Sequence, residues 1–271
     1  KQCQWLLSQN VGLAIFGTNS EANSLSVDEK IDLMDALVEA GVDPARMMPG
    51  TGCCALTDSV RLTAHAAKLG GGGTLMLPPV YYKGVRDEGR YASCAEVIQR
   101  VGDDALRIYL YHIPPIAQVG LSVDLIDRLV KDFPDIVVGI KDSSGDWNTT
   151  RTFLDAHGDL QILVGDERQL PRAMANGAGG SICGVSHILP GPLHLPVRLQ
   201  PLLQLARVDP LLDEPEVVQG HVLGRVVHAE LLQDLPVVLD AVHVLPFSSV
   251  PAPAVLVIHA WKHFLILLGP V

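Results

Sequence analysis

The sequence has 271 residues, of which 48% are hydrophobic, and a formal net charge of −10. A chain of this length can bury a large core, and its acidity argues against nucleic acid or an anionic membrane as the main partner. The five cysteines form no CxxC pattern, so their sparse use fits a reducing cytoplasm better than a disulfide scaffold.

The first predicted elements are a strand and a helix near the N-terminus. The apolar run VGLAIFG (11–17) ends in a glycine and predicts a short strand. In SVDEKIDLMDALVEAG (26–41), apolar residues recur at helical spacing. Ser26 and Glu29 have the spacing of a capping box, and Gly41 is typical of a residue that ends a helix.

The same alternation of strand and helix continues to residue 185. Further strands are predicted at 46–50, 74–78, 107–112, 136–141, 161–165 and 180–185, with helices near 57–69, 88–101, 122–132, 147–156 and 167–176. Strands that are apolar on both faces and separated by helices predict a parallel sheet that is covered on both sides. The sequence therefore predicts an α/β fold with seven strands.

Two architectures accommodate this alternation. A doubly wound open sheet is one, but seven repeats of about 25–30 residues favour an eightfold (β/α)8, or TIM, barrel. One barrel strand is then missing. Because the chain opens on Lys1 rather than on a methionine, we expect the missing strand to be the first. We assign residues 1–190 to this barrel core.

The C-terminal segment, residues 191–271, has a different composition. Residues 187–271 contain seven of the ten histidines and eleven of the nineteen prolines, and the strand–helix alternation stops. One interpretation is a helical extension, and the other is translation of a GC-rich gene in the wrong frame. The longest apolar run, 254–268, is interrupted by His259, Lys262 and His263 and is too short for a membrane span. With no visible signal peptide, we expect a cytoplasmic protein.

Lys141 ends the predicted strand 136–141, directly after five apolar or glycine residues. In a parallel barrel, the carboxyl ends of the strands face the mouth of the active site. Burial disfavours the charged ammonium, and a neutral amine can attack a carbonyl carbon. For a lysine taken alone, a side chain that extends to solvent at the sheet edge is the better explanation.

Side chains with hydroxyl or amide groups gather at the same edge of the predicted sheet. They follow the ends of three other strands and are Thr18, Asn19, Tyr81, Tyr82 and Tyr111. A tyrosine near the amine could relay protons while a carbinolamine forms and breaks down. This gathering favours a chemical role for Lys141.

The sequence resembles the dihydrodipicolinate synthase / N-acetylneuraminate lyase superfamily of Schiff-base (β/α)8 barrels. The matching stretches keep the order and spacing of that family over roughly residues 5–190. They are GTNSEANSLSVDEK (17–30), PGTGCCALTDSVRLTAHAAKLG (49–70), VYYKGVRDEG (80–89), YLYHIP (109–114), GIKDSSGD (139–146) and GAGGSICGVSHILP (177–190). Each stretch is a weak signal alone, and the ordered set is a strong one.

The resemblance implies catalytic roles for four residues. Lys141 matches the lysine that forms a Schiff base with pyruvate, and Tyr111 matches the tyrosine that moves protons to and from the adduct. Thr18 matches the first hydroxyl of the GTTGE motif, which joins a proton relay with tyrosines. Tyr82 matches a relay tyrosine contributed by the neighbouring subunit. The resemblance therefore implies a homodimer or homotetramer.

The resemblance also implies substrate contacts. Asn19 and Ser20 replace the second Thr and the Gly of GTTGE, and an Asn side chain can still donate a hydrogen bond to the carboxylate of pyruvate. Ile182 falls where a backbone carbonyl faces pyruvate in relatives. Gly165, at the end of the strand 161–165, is assigned to the same substrate site.

One departure concerns the second substrate. The YNVPxR signature of the synthases has an arginine two residues after its proline, where it binds the carboxylate of that substrate. Here Ile116 stands two residues after Pro114 and cannot make this contact. We therefore expect an aldehyde or a 2-keto acid other than aspartate semialdehyde.

The resemblance predicts a lyase or synthase that condenses pyruvate with an aldehyde, or releases pyruvate from a 2-keto acid, without a cofactor or metal. The C-terminal histidines lack HExxH spacing, which argues against a metal site there. The alternatives are an inert barrel, a broken gene product or a regulator that binds a keto acid. Because a strand is missing and the resemblance stops near Pro190, we expect the chain as written to be a poor catalyst.

Overall fold

The computed structural model describes residues 1–188, Pro190 and Leu193. All of them belong to one compact unit, Lys1–Val218. The predicted C-terminal segment, 191–271, lies outside the described residues except for Leu193.

Helices cover the predicted positions within the described part of the chain. They are α1 (Gln2–Ser8), α2 (Val27–Glu39), α3 (Leu56–Lys68), α4 (Asp87–Val101), α5 (Pro114–Ala117), α6 (Val123–Asp132), α7 (Trp147–Ala156) and α8 (Leu170–Ala175). The capping box predicted for α2 is confirmed, since Ser26 accepts a hydrogen bond from the Glu29 backbone N–H and the Glu29 carboxylate accepts one from Ser26. No helix in this part of the chain has the length and hydropathy of a membrane span.

The sheet is parallel, as the sequence predicts. Its five strands are β1 (Thr74–Met76), β2 (Ile108–His112), β3 (Val137–Asp142), β4 (Gln161–Val164) and β5 (Gly180–Ser181). They lie side by side in chain order, and each pairs in parallel with the next. A right-handed crossover helix between each pair of neighbours is the usual way to build such a sheet.

The two strands predicted before residue 51 are present only as isolated bridges. Leu13 pairs in parallel with Met47, and Gly50 pairs in parallel with Leu75 of β1. The backbone N–H of Leu13 donates to Arg46 O at 2.8 Å, so the hydrogen-bonded order continues on this side of β1. Seven chain segments therefore follow one another in the same order as the seven predicted strands.

A turn at Phe16 shortens the first of these segments. Phe16 has φ +59°, in the left-handed region that a bulky residue rarely adopts. A Cβ at Gly50 would collide with the Phe16 carbonyl oxygen, so the neighbouring segment approaches closely only because residue 50 is a glycine. The extended run therefore ends here rather than at Gly17.

One apolar cluster on a face of the sheet contains side chains from all seven segments. It consists of Leu75, Tyr109 and Leu163 with Ala14, Met48, Val138 and Ile182 packed against them. Side chains of the first and last segments therefore pack against the same buried residues. An eighth strand and closure into a barrel stay predictions.

Gly139 explains how an aromatic ring fits into this core. A Cβ at Gly139 would collide with the Tyr109 ring and lie 2.6 Å from Gln161 O. The Tyr109 hydroxyl donates to Gln161 Oε1 at 3.0 Å, which fixes the ring across β3. The glycine inside the strand thus makes room for a large side chain from β2.

Candidate active site

Lys141 and Tyr111 lie side by side at the carboxyl ends of two neighbouring strands. Tyr111 of β2 is the register partner of Lys141 of β3. Both side chains are buried, with exposed fractions of 6% for Tyr111 and 7% for Lys141. Since residues that pair in register point to the same face of a sheet, the amine and the phenol share the inner face.

The amine of Lys141 contacts the aromatic ring directly. Its Nζ lies 4.2 Å from the centre of the Tyr111 ring. Within residues 1–188, Nζ has neither a hydrogen bond nor a carboxylate partner at ion-pair distance. The amine is therefore buried against an aromatic face, with no carboxylate beside it within these residues.

Thr18 adds a hydroxyl to the pair. Its Oγ1 lies 3.2 Å from the Tyr111 hydroxyl, and either atom can donate the hydrogen bond. Thr18 begins a 3-10 turn, Thr18–Ser20, just after the left-handed Phe16. The structure therefore brings together three of the predicted catalytic residues, Lys141, Tyr111 and Thr18.

The predicted substrate contacts lie at the same end of the sheet. A Cβ built on Gly184 would lie 3.1 Å from Asn19 Nδ2, so the Asn19 side chain lies beside the last segment. Ile182 donates its backbone N–H to Val164 O at 3.0 Å and packs in the inner cluster. Asn19 and Ile182 thus lie where the first and last segments meet.

Gly165 makes room for a residue that the sequence analysis did not select. A Cβ at Gly165 would collide with the Ser143 side chain. Gly165 donates its backbone N–H to Asp142 O, and Ser143 donates its own to His112 O, both at 2.7 Å. Ser143 follows Lys141 by two residues, so it continues the inner face of β3. The only sequence signal was its place in GIKDSSGD.

Tyr82 lies away from the other candidates in this chain. Its side chain is 72% exposed and packs edge-on against Tyr81, with ring centres 5.1 Å apart. Among the described residues, neither Thr18 nor Tyr111 is hydrogen-bonded to it. The structure of the single chain therefore leaves Tyr82 on the surface.

The loop that contains Tyr82 is hydrogen-bonded to α5, the helix after β2. Lys83 Nζ donates to the carbonyl oxygens of Val80 and Ala117, the latter at 2.8 Å. Ile116, on the same short helix, is 64% exposed. An apolar side chain therefore occupies the position that the resemblance would give to an arginine.

A second buried pair lies at the ends of β2 and β3, on the face opposite Tyr111 and Lys141. His112 and Asp142 follow Tyr111 and Lys141, pair with each other in register, and are 6% and 2% exposed. Burial lowers the pKa of His112, and the nearby Asp142 charge opposes that effect. Sequence reasoning did not select this pair, because the matching stretches YLYHIP and GIKDSSGD that contain the two residues imply no role for either.

Within the described residues, no group of three or more His, Cys, Asp or Glu side chains is arranged to hold a metal ion. The groups that converge at this end of the sheet are an amine, a phenol and a hydroxyl.

A family model and several known proteins match this chain. Residues 3–198 match the model of the dihydrodipicolinate synthetase family. A relative from Chloroflexus aurantiacus, described as an uncharacterized DapA-like lyase, is 35% identical over 179 residues. That alignment covers 66% of this chain and 59% of the relative, so the chain spans less than two thirds of its length.

Two solved structures share the fold. Dihydrodipicolinate synthase from Agrobacterium tumefaciens has a TM-score of 0.70 and 29% identity, covering 99% of this chain and 91% of its own. The chloride-inhibited dihydrodipicolinate synthase from Acinetobacter baumannii, solved in complex with pyruvate, has a TM-score of 0.62 and 25% identity. That match covers 82% of this chain and 80% of the other.

Proposed function

The chain belongs to the dihydrodipicolinate synthetase family, and from this membership we propose that it forms a Schiff base between Lys141 and pyruvate. The adduct then makes or breaks a carbon–carbon bond with an aldehyde. The contact of Nζ with the Tyr111 ring at 4.2 Å is the observation that carries this proposal. The Acinetobacter synthase, which was solved in complex with pyruvate, supports the choice of keto acid.

The first step is addition of the amine to the ketone. The lone pair of Lys141 Nζ bonds to C2 of pyruvate, and the carbonyl π electrons move to oxygen, which takes up a proton. The resulting carbinolamine loses that oxygen as water, and a protonated imine remains.

The second step needs a proton carrier. The protonated imine draws electrons from C3, so a C3 proton is lost and an enamine forms. We assign the proton transfers to the Tyr111 hydroxyl, with Thr18 Oγ1 at 3.2 Å as the next member of the relay. The enamine carbon attacks the aldehyde carbon, whose oxygen takes up a proton, and the protonated imine forms again. Water then hydrolyses this imine and releases the product and the free amine of Lys141.

The carboxylate of pyruvate needs hydrogen-bond donors near the amine. Asn19, beside the last segment, supplies an amide N–H₂. Gly165 follows β4 and leaves room for Ser143, and the Ile182 N–H is hydrogen-bonded to Val164 O at the end of the same strand. We assign these three residues to pyruvate binding.

Ile116 points to the class of the second substrate. An exposed isoleucine offers no charge or hydrogen bond to a carboxylate. We propose that the acceptor is an aldehyde or 2-keto acid other than aspartate semialdehyde.

The surface position of Tyr82 fits a role in a neighbouring subunit. Its ring is exposed together with that of Tyr81, which packs against it. We propose a homodimer or homotetramer in which Tyr82 of one subunit completes the relay of another.

The exchange of pyruvate protons with solvent tests this function without the acceptor. In D₂O, enamine formation replaces the C3 hydrogens of pyruvate with deuterium, and the loss of the methyl signal is followed by proton NMR. We expect exchange with the native chain and none above background with Lys141→Ala. The matched control is Lys131→Ala, because Lys131 is an exposed lysine on α6. Equal exchange in all three proteins, or none with the native chain, would overturn the proposal.

A further inference from the structure

The two faces of β3 carry different chemistry at its end. Lys141 points to the inner face, and Asp142, the next residue, points to the outer face toward α7. Asp142 is only 2% exposed. A carboxylate buried this deeply is costly unless hydrogen bonds compensate it.

Three hydrogen bonds hold Asp142. Its Oδ2 accepts from Thr150 Oγ1 at 2.6 Å, and its Oδ1 accepts from the Ser144 backbone N–H at 2.9 Å. Its own carbonyl oxygen accepts from the Gly165 N–H at 2.7 Å. These contacts tie the residue after Lys141 to α7, to the following turn and to the end of β4.

Thr150 is the side chain that donates a hydrogen bond to the Asp142 carboxylate from another element. It lies on α7, is 1% exposed, and also lies 3.2 Å from Gln169 Oε1. A hydroxyl has one proton, so the shorter contact, to Asp142, receives it. The bond joins a buried donor to a buried acceptor, where losing one partner leaves the other unsatisfied.

His112 completes the support on the neighbouring strand. Its Nδ1 accepts a hydrogen bond from the Leu121 N–H at 3.0 Å, which leaves the ring proton of the neutral imidazole on Nε2. The ring packs edge-on against Phe153 of α7, with ring centres 5.2 Å apart. The residues behind Tyr111 and Lys141 are thus both held against α7.

We propose that Asp142 and Thr150 are positioning residues for Lys141. The hydrogen-bonded carboxylate fixes the end of β3, so the amine stays against the Tyr111 ring in the geometry that adds to the keto acid. Replacing both partners of a buried hydrogen bond with apolar residues of the same shape can be nearly neutral for stability. The place of this pair directly behind Lys141 supports a positioning role. This inference rests on the proposed function of Lys141.

The test compares two substitutions of Thr150, one that removes the hydroxyl and one that keeps it. Thr150→Val keeps the size and removes the donor, while Thr150→Ser keeps the donor. The rate of pyruvate adduct formation is measured by borohydride quenching over time at several pyruvate concentrations. We expect Thr150→Val to lower the saturating rate about tenfold or more, since misplaced catalytic groups lose rate steeply. The pyruvate concentration that gives half the saturating rate should change less than about threefold. Thr150→Ser should keep a rate close to that of the native chain.

A second pair of variants separates positioning from stability. Thr63→Val removes a buried hydroxyl that has no hydrogen-bond partner among the described residues, so it controls for the substitution itself. Asp142→Asn should slow adduct formation like Thr150→Val. Native adduct rates in folded Thr150→Val and Asp142→Asn would overturn the inference, and so would an equal loss of rate in Thr63→Val. Failure of the unsubstituted chain to form any adduct would instead contradict the proposed function.

Discussion

Tyr111 is the residue whose hydroxyl should set the rate of imine formation. In Tyr111→Phe the ring still packs against Lys141, but Thr18 loses its partner at 3.2 Å. We expect adduct formation to slow by a factor of about 10²–10⁴, the usual contribution of a positioned acid–base group. The affinity for pyruvate should fall by a smaller factor than the rate. Time-resolved borohydride quenching measures the rate, and Tyr91→Phe, on the surface of α4, is the control. An unchanged rate would mean that another group carries the protons.

Ile116 is the residue that should decide between acceptors. Ile116→Arg adds a guanidinium that can bind a carboxylate through two hydrogen bonds. We expect kcat/KM for aspartate semialdehyde to rise about tenfold or more relative to an uncharged aldehyde. Ile116→Gln, which is polar but uncharged, should not show this rise. The assignment of Ile116 fails if both variants change the two substrates equally.

The sequence predicts the positions of some site residues in the fold better than those of others. Lys141 and Tyr111 could be placed together because both end apolar strands that are neighbours in chain order. The bond from Thr150 to Asp142 could not, because it depends on how α7 packs on β3. Ser143 and Gly165 likewise meet only because β3 and β4 pair. The catalytic roles of Lys141, Tyr111 and Thr18 stay predictions.

At the scale of elements, Gly139 should be intolerant of substitution. In Gly139→Ala the added methyl group would meet the Tyr109 ring and Gln161 O. Overpacking a well-packed core typically costs about 1–3 kcal/mol. Chemical denaturation should show this loss, and Gly158→Ala, whose Cβ would meet only Leu154 O at 3.5 Å, should show much less. Equal stability of the two variants would contradict the packing argument.

The regular elements are predicted well where periodicity and end signals agree. Helix α7 has the predicted bounds, 147–156, and the boundaries of α3, α4 and α6 differ by one residue. Two helices were not predicted. Helix α1 has no side-chain cap at its start, and α5 has four residues and begins at Pro114. Elements so short carry too few apolar positions to establish a period.

At the scale of the whole molecule, buried histidines should make stability depend on pH. Burial lowers the pKa of both His112 and His157, and the carboxylates Asp142 and Asp127 oppose this effect. The unfolded chain then binds protons that the folded chain does not, below the ordinary histidine pKa of about 6.5. The contribution of these two histidines to the free energy of unfolding is therefore fully present above that pH. It is lost as the pH falls toward their lowered pKa values.

His157→Gln tests this dependence, because Nε2 of His157 is buried and has no hydrogen-bond partner among the described residues. The free energy of unfolding is measured by denaturant titration at about pH 7.5 and about pH 5.5, on either side of the ordinary histidine pKa. The native chain should lose stability on acidification, and the variant should lose less. The same loss in both proteins would show that His157 does not contribute.

Assembly gives a prediction about Tyr82. If Tyr82 serves a neighbouring subunit, Tyr82→Phe and Tyr111→Phe should each be slow alone and complement each other when mixed. A hybrid dimer contains one site in which Lys141, Tyr111 and the partner's Tyr82 are all intact. Random mixing should restore about a quarter of the native adduct rate. A mixture no faster than its components would contradict a shared site.

The identity of the residue that holds pyruvate tests the proposed mechanism at its covalent step. The native chain is incubated with pyruvate, reduced with borohydride, digested and mapped by mass spectrometry. We predict a mass gain of about 72 Da on Lys141 alone, from imine formation followed by reduction. Lys141→Ala should show no gain, and Lys131→Ala should behave like the native chain. Unmodified Lys141 in the native chain, or a gain that persists in Lys141→Ala, would contradict the Schiff-base mechanism.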